Sequence, residues 1–252
     1  MKKFIHLGVY FSNMIQENKT KVVILAAGMG TRMLPLTNDI PKVLVKTNGK
    51  EFLYYVIKNL KKAGYENLCL VVGYKKEKIE EFLKREKIEA KIIEQKEQKG
   101  TGDAVLCVKE FVGKENFIVL GGDGLWSPED FEQMNKSDNY NYICGIETAT
   151  PEKYGVLEKE GEFLKGIKEK PKEYCGNLIS TGLYKFTPGI FDSLLKVGLS
   201  PRGEHELTDA IALLAQEQKV KILKVKNFWK DLGTIKDIEP ISNFIRENWK
   251  DF

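Results

Sequence analysis

The feature that most constrains this chain is an alternation in its first half. Short, almost wholly apolar runs are separated by stretches with helical spacing. Strands are expected at Lys21–Ala26, Leu68–Val72, Lys91–Glu94 and Phe117–Leu120. Their mostly apolar character suits strands covered on both faces, and parallel neighbours must be joined by a crossover that is usually a helix. The intervening faces fit: Phe52, Tyr55, Val56, Asn59, Leu60 and Ala63; then Ile79, Phe82 and Leu83; then Ala104, Val105, Val108 and Phe111. After Tyr140 the pattern changes to longer strand-like runs broken by turns such as Lys159-Glu160-Gly161-Glu162, which predicts an antiparallel portion added to the same sheet. Helices from about Glu204 to Gln218 and from Ile235 to Trp249, with a strand at Val220–Val225 between them, close the chain. The expected fold is α/β: a Rossmann-like, doubly wound mixed sheet flanked by helices. At 252 residues without linker, repeat or low-complexity tract, one core is expected over residues 21–252, preceded by an N-terminal extension over residues 1–20.

Composition removes several function classes. Forty Lys and Arg against 36 Asp and Glu, interspersed in sign, read as a solvated surface and demand no nucleic acid partner. No apolar run approaches the roughly 20 residues of a membrane span, so no membrane role is expected. Cys69, Cys107, Cys144 and Cys175 include no C-x-x-C pair and are read as reduced thiols of a cytoplasmic protein. The opening "MKKFIHLGVYF" is interrupted by His6 and is followed by no small-residue cleavage site, so no signal peptide is expected.

The first strand runs into "VVILAAGMGTRM". A strand that ends in glycines at the carboxyl edge of an α/β sheet is where such folds bind ligands. Gly28 and Gly30 let main-chain N–H groups approach an anion, Thr31 adds a hydroxyl, and Arg32 supplies a forked cation. The pattern is neither a dinucleotide fingerprint, because position 33 is Met, nor a P-loop, because no G-K-[ST] occurs. On these residues alone, a simple turn and a phosphate cradle both stand.

Over the longer run "LAAGMGTRMLPLT" and the nearby "PKVLV", the chain resembles the sugar-1-phosphate nucleotidylyltransferases of the glucose-1-phosphate thymidylyltransferase and uridylyltransferase type. The resemblance recurs in order from Lys21 to about Glu247, and it implies a glycosyltransferase-A-like fold. It also implies a nucleotide site at Ala27, Gly28, Gly30 and Thr31, with Arg32 and Lys42 on the phosphates. "EQKEQKGTGDAV", with Gln95 five residues before Gly100 and Thr101 and a helix starting near Asp103, is similar to the family's base-reading segment. "FIVLGGDGLW" delivers Asp123, and "FWKDLGTIKDI" delivers Asp231. In the family these aspartates hold Mg²⁺, a hard cation that takes one or two protein oxygens. Gly124 stands where relatives commonly carry Asn or Ser, which leaves the local sugar contacts open.

The sugar side is implied by "PEKYGVLE", "IKEKP" and "NLISTGLYKF": Gly155, Glu169 and Thr181 toward the sugar, and Lys170 toward its phosphate. Ser180 stands where N-acetylglucosamine-handling relatives often carry Asn, which tilts the reading toward a plain hexose phosphate. In "RGEHELTDAI", Thr208 and Asp209 read as a helix-capping device and His205 as surface. Trp229 reads as an aromatic beside the pocket, or as core.

The implied reaction joins a pyrimidine nucleoside triphosphate, UTP or dTTP, to a sugar 1-phosphate, glucose 1-phosphate favoured, and releases pyrophosphate. Two polyanions must be held in line, so positioning and charge neutralisation suffice and no protein nucleophile is needed. A catalytically silent regulatory subunit that binds nucleotide sugars and an N-acetylglucosamine-1-phosphate uridylyltransferase are the alternatives. Cofactor nucleotidylyltransferases share the opening motif but lack the later ones. No hexapeptide repeat occurs before Phe252, so no β-helix acyltransferase activity is expected. A homo-oligomer is compatible with the aromatic residues near both ends.

Overall fold

The structure is a computed structural model that describes residues 20–200 and 203–249. The expected N-terminal extension, apart from Thr20, and Arg202 of the "RGEHELTDAI" motif therefore lie outside the described residues.

Among the described residues, nine strands form one sheet in the order Lys91–Glu94, Leu68–Val72, Lys21–Ala26, Phe117–Gly121, Leu178–Phe186, Asn141–Glu147, Val220–Lys224, Phe163–Glu169 and Gly155–Glu160. The first four are parallel, as their mostly apolar character predicts, with the half-charged Lys91–Glu94 at the sheet edge. Leu178–Phe186 then runs antiparallel to both of its main neighbours, and the 155–160/163–169 hairpin is antiparallel too. Val220–Lys224 departs from the expectation, since it pairs parallel with Asn141–Glu147. The chain leaves Lys21–Ala26 toward one edge and returns to its other side with Phe117–Gly121. That reversal is the topological switch point, where open α/β sheets form their ligand crevice.

Two apolar layers sandwich the sheet, and the first strand shows why. Its alternate residues Val22 and Ile24 join the layer with helices Phe52–Lys62, Lys76–Arg85 and Ile238–Asn248, whereas Val23 joins the layer with Thr101–Leu106, Gly189–Leu194 and Leu207–Gln216. All three side chains are fully buried, each worth about 1.5–3 kcal/mol of transfer free energy. Burial pushes the Cys69 and Cys144 thiols up to about 12, so they are core residues and not nucleophiles. No described helix is long and apolar enough to cross a membrane.

Several local expectations are corrected. The stripe from Ala104 to Phe111 is two helices, Thr101–Leu106 and Lys109–Val112, the first with Asp103 in its opening turn as expected. Thr208 is not a cap: the helix opens at Leu207, whose N–H donates to the hydroxyl of Thr101, 3.2 Å away on another helix. The last helix begins at Ile238, after a short turn at Ile235–Asp237 in which Thr234 and Asp237 form a capping box. A two-stranded sheet of Gly124–Trp126 and Trp229–Asp231 had no signal in the pattern, because three residues per strand are too few to show a period.

Candidate active site

At the carboxyl ends of Lys21–Ala26 and Phe117–Gly121 lies a cleft of about 570 Å³. Its wall brings together ten of the predicted residues: Ala27, Gly28, Gly30, Thr31, Arg32, Lys42, Gln95, Gly100, Thr101 and Asp123. The local sequence explains the assembly. Met33 is fully buried and anchors the 3₁₀ turn Thr31–Met33, which leaves Arg32 exposed beside it. Gly30 sits at φ +65°, where a Cβ would lie 2.8 Å from Cβ of Lys42, so glycine lets the two segments meet. Thr37 Oγ1 locks the loop by donating to the Gly30 carbonyl at 2.9 Å. At Gly28 a Cβ would meet no atom within 4 Å. Val43 and Leu44 are buried, and Lys42 Nζ donates to Asp123 Oδ2 at 2.6 Å.

The opposite wall is the segment from Gln95 to Ala104. Gln95 is buried, and its Nε2 donates to the Gly100 carbonyl at 3.0 Å and to Asp103 Oδ2 at 2.8 Å. Both amide protons therefore shape the loop, and Oε1 is the atom left for a ligand. The Thr101 hydroxyl is partly spent as well, because it accepts from Leu207. His205 is not surface: its carbonyl accepts from the Gly102 N–H at 2.8 Å and would stand 2.6 Å from a Cβ at Gly100, which explains glycine there. Three cleft residues carried no individual signal in the sequence. Gln98 donates to the Ala27 carbonyl at 2.9 Å and ties the two walls together, and Glu204 and Gly233 also line the cleft. Gln98 and Glu204 lie inside recognised motifs, but nothing in their spacing separates them from neighbouring surface residues.

The two predicted metal ligands meet through the small sheet. Asp231 pairs in register with Gly124, and the Leu232 N–H donates to the Asp123 carbonyl at 2.9 Å. Asp231 does not line the main cleft but lies against it through Gly233, where a Cβ would be 3.1 Å from Asp231 Oδ2. Burial pushes the Asp231 carboxyl up to about 6, with Asp123 and Asp237 raising it further and Lys42 and Arg32 opposing them. Two carboxylates confined together in this way favour a cation. Among the described residues no group of three or more His, Cys, Asp or Glu forms a metal cluster. A pair of acids beside this cleft, with no His or Cys to complete a set, fits a hard cation such as Mg²⁺, which completes its shell with phosphate and water, better than zinc.

The predicted sugar residues form a neighbouring group outside the main cleft. Gly155 and Glu169 are paired across the hairpin, and a Cβ at Gly155 would lie 3.1 Å from Glu169 Oε2. Lys170 follows at φ +43°, held by donation of its N–H to the Tyr154 carbonyl at 3.0 Å, with Nζ 3.6 Å from Glu169 Oε1. Tyr154 connects this group to Asp231. Its ring packs edge-on against Trp229 at 5.4 Å, and burial and the charges of Asp231 and Asp237 raise its phenol while Arg32 opposes them. Trp229 is thus half-buried between core and site. Thr181 is placed differently from its expected role. It is buried, accepts from Trp126 Nε1 at 3.1 Å and donates to the Cys144 carbonyl at 3.0 Å, so its hydroxyl stands behind the site.

Comparison with known proteins identifies the family. A family model described as nucleotidyl transferase matches residues 21–248. The bifunctional protein GlmU of Methanocaldococcus jannaschii is 39% identical over 88% of this chain and 53% of its own length. The UTP–glucose-1-phosphate uridylyltransferase AglF of Haloferax volcanii is 34% identical over 90% of this chain and 97% of its own. A crystal structure of UDP-glucose pyrophosphorylase complexed with UDP-glucose superposes with a TM-score of 0.82 at 29% identity, covering 90% of this chain and 98% of that one. The chain spans about half the length of the bifunctional archaeal relatives it matches. By motif, fold and family match, it belongs to the nucleotidyl transferase family, among the sugar-1-phosphate nucleotidylyltransferases its motifs resemble.

Proposed function

We propose that the protein transfers a nucleotidyl group from UTP or dTTP to a sugar 1-phosphate, glucose 1-phosphate favoured, and releases pyrophosphate. The observation that carries this reading is the convergence of Arg32, Lys42 and Asp123 on one glycine-lined cleft, with Asp231 returned beside it from the far end of the chain. The similarity to a uridylyltransferase and to a UDP-glucose pyrophosphorylase supports UTP and glucose 1-phosphate as the first pair to test. The free cysteines fit work in the reducing cytoplasm.

In this reading the main-chain N–H groups from Ala27 to Thr31 hold the triphosphate, and Arg32 neutralises its β and γ groups. Lys42 leaves Asp123 for the phosphates near the reacting centre, and Lys170 binds the phosphate of the acceptor. That phosphate oxygen attacks the α-phosphorus in line, and the bond to the β-phosphate oxygen breaks. Asp123 and Asp231 would hold Mg²⁺, which supplies charge neutralisation on the phosphates when bound. Gln95 Oε1 and the Gly100 backbone face the base, and Gly155 and Glu169 the sugar hydroxyls.

The test is pyrophosphate release by the purified protein with Mg²⁺, over a grid of UTP, dTTP, CTP, ATP and GTP against glucose, N-acetylglucosamine, galactose and mannose 1-phosphates. Release with UTP or dTTP and glucose 1-phosphate is expected. Release with N-acetylglucosamine 1-phosphate alone would replace the sugar assignment. Nucleotide binding without release in any cell would favour the silent regulatory reading.

A further inference from the structure

The strand that carries Asp231 is only three residues long and pairs with three others. A two-stranded ribbon of that size does not hold its own register. Register matters here, because side chains alternate across a strand and a slip of one residue would bring Lys230 to the place of Asp231. Something outside the ribbon must fix it.

Asp130, fully buried on the short helix Pro128–Glu132 just beyond Trp126, is placed to do so. Its Oδ1 accepts the backbone N–H of Lys226 at 2.6 Å and Gln133 Nε2 at 3.3 Å, while Oδ2 accepts the Ser127 hydroxyl at 2.7 Å. Gln133 Nε2 also donates to the Lys224 carbonyl at 3.1 Å, and Asn227 Nδ2 donates to Glu129 Oε2 at 2.9 Å. The returning chain is therefore gripped at Lys224, Lys226 and Asn227, immediately before Trp229–Asp231. The partner strand is fixed as well: Asn59 Nδ2 donates to the Trp126 carbonyl at 2.6 Å, and the Trp126 ring folds over Gly124. Asp130 has no ion-pair partner among the described residues; donors satisfy it from both sides of the joint. An amide there would keep an oxygen for the Lys226 N–H but set its NH₂ against the Ser127 hydroxyl, which would have to turn from donor to acceptor although it already accepts the Asp130 N–H at 3.1 Å and Asn227 Nδ2 at 3.4 Å.

We propose that Asp130 is a positioning residue that sets the register of Lys226–Asp231 against Gly124–Trp126, and through it the spacing of Asp123 and Asp231. This rests on the reading of those two aspartates as the metal ligands. The experiment compares the wild-type chain with Asp130→Asn by amide hydrogen exchange and by Mn²⁺ titration in the presence of UTP. Exchange at residues 226–232 should accelerate about tenfold or more while the central strands stay protected. Mn²⁺ affinity should fall about tenfold or more, the range usual for outer-shell residues. Should Asp130→Asn not fold, Ser127→Ala, which removes one hydroxyl from the same clamp, is expected to give the same pattern at smaller size. Wild-type exchange over 226–232, or acceleration spread evenly over the chain with unchanged Mn²⁺ affinity, would overturn the proposal. If Asp123→Asn leaves Mn²⁺ binding intact, the metal reading fails, and the exchange at 226–232 alone then judges Asp130.

Discussion

The two halves of the site are built in opposite ways. The nucleotide side takes much of its chemistry from one stretch between Ala27 and Lys42, folded as a single loop on the first strand. The side that would meet sugar and metal draws on Gly155, Glu169, Lys170 and Asp231, which come from the hairpin and from the end of the chain. The loop side needs glycine and a buried Met33 to hold its shape. Behind the assembled side stands a second tier of buried polar groups, Asp130, Ser127, Gln133 and Thr181, none of which lines the cleft. A contiguous motif carries its own geometry, whereas a site collected from distant segments has to be held by the interior.

The largest effect is expected where the halves meet. Asp123→Asn should lower kcat by about a thousandfold or more while leaving the circular dichroism spectrum unchanged, because the side chain stands at the open cleft and its loss removes one of the two carboxylates proposed to hold the metal. Activity within tenfold of wild type would break the idea that both sides share that residue.

A smaller effect with opposite sign sharpens the contrast. The Asp231 carboxyl is raised from 3.8 to about 6 in the fold, so the metal-free folded state binds a proton more tightly than the unfolded state. Stability should then rise as pH falls through 6 toward 4 and be lost above 6, by up to about 3 kcal/mol. Asp231→Asn removes the ionisation: it should be more stable than wild type at pH 8, lose the pH dependence in that window, and lose activity. Urea unfolding at pH 5 and pH 8 without metal measures this, and equal pH profiles for the two proteins would contradict it.

The smallest effect separates interior from site. Thr181→Val leaves Trp126 Nε1 and the Cys144 carbonyl without their partner, at a cost of about 1–2 kcal/mol. The KM for the sugar phosphate should stay within about twofold, since the hydroxyl does not face the sugar. A tenfold rise in KM would return Thr181 to the sugar-contact role that its motif implied.

Much of the fold was legible in the residues, and the exceptions share a cause. The parallel strands and most of the helices fall where apolar periodicity puts them, because burial on two faces writes itself into every residue of a strand such as Leu68–Val72. Short elements left no period. Gly124–Trp126, Trp229–Asp231 and Gly189–Leu194 owe their existence to contacts with distant segments. The opening of the helix at Leu207 escapes the local pattern for the same reason: Thr208 stands where a cap is expected, but the Leu207 N–H is met by the hydroxyl of Thr101, more than a hundred residues away in sequence.

By itself the sequence determined the α/β class, the glycine-and-arginine loop after the first strand and the family, since each depends on neighbours in the chain or on short motifs that survive in one dimension. Only the tertiary structure decided that Lys42 reaches Asp123, that Thr181 turns inward to Trp126, and that Asp231 comes to lie beside Gly124. Those are pairings between segments as much as a hundred residues apart, and such pairings are chosen by packing and by the satisfaction of buried hydrogen bonds, which no local pattern records.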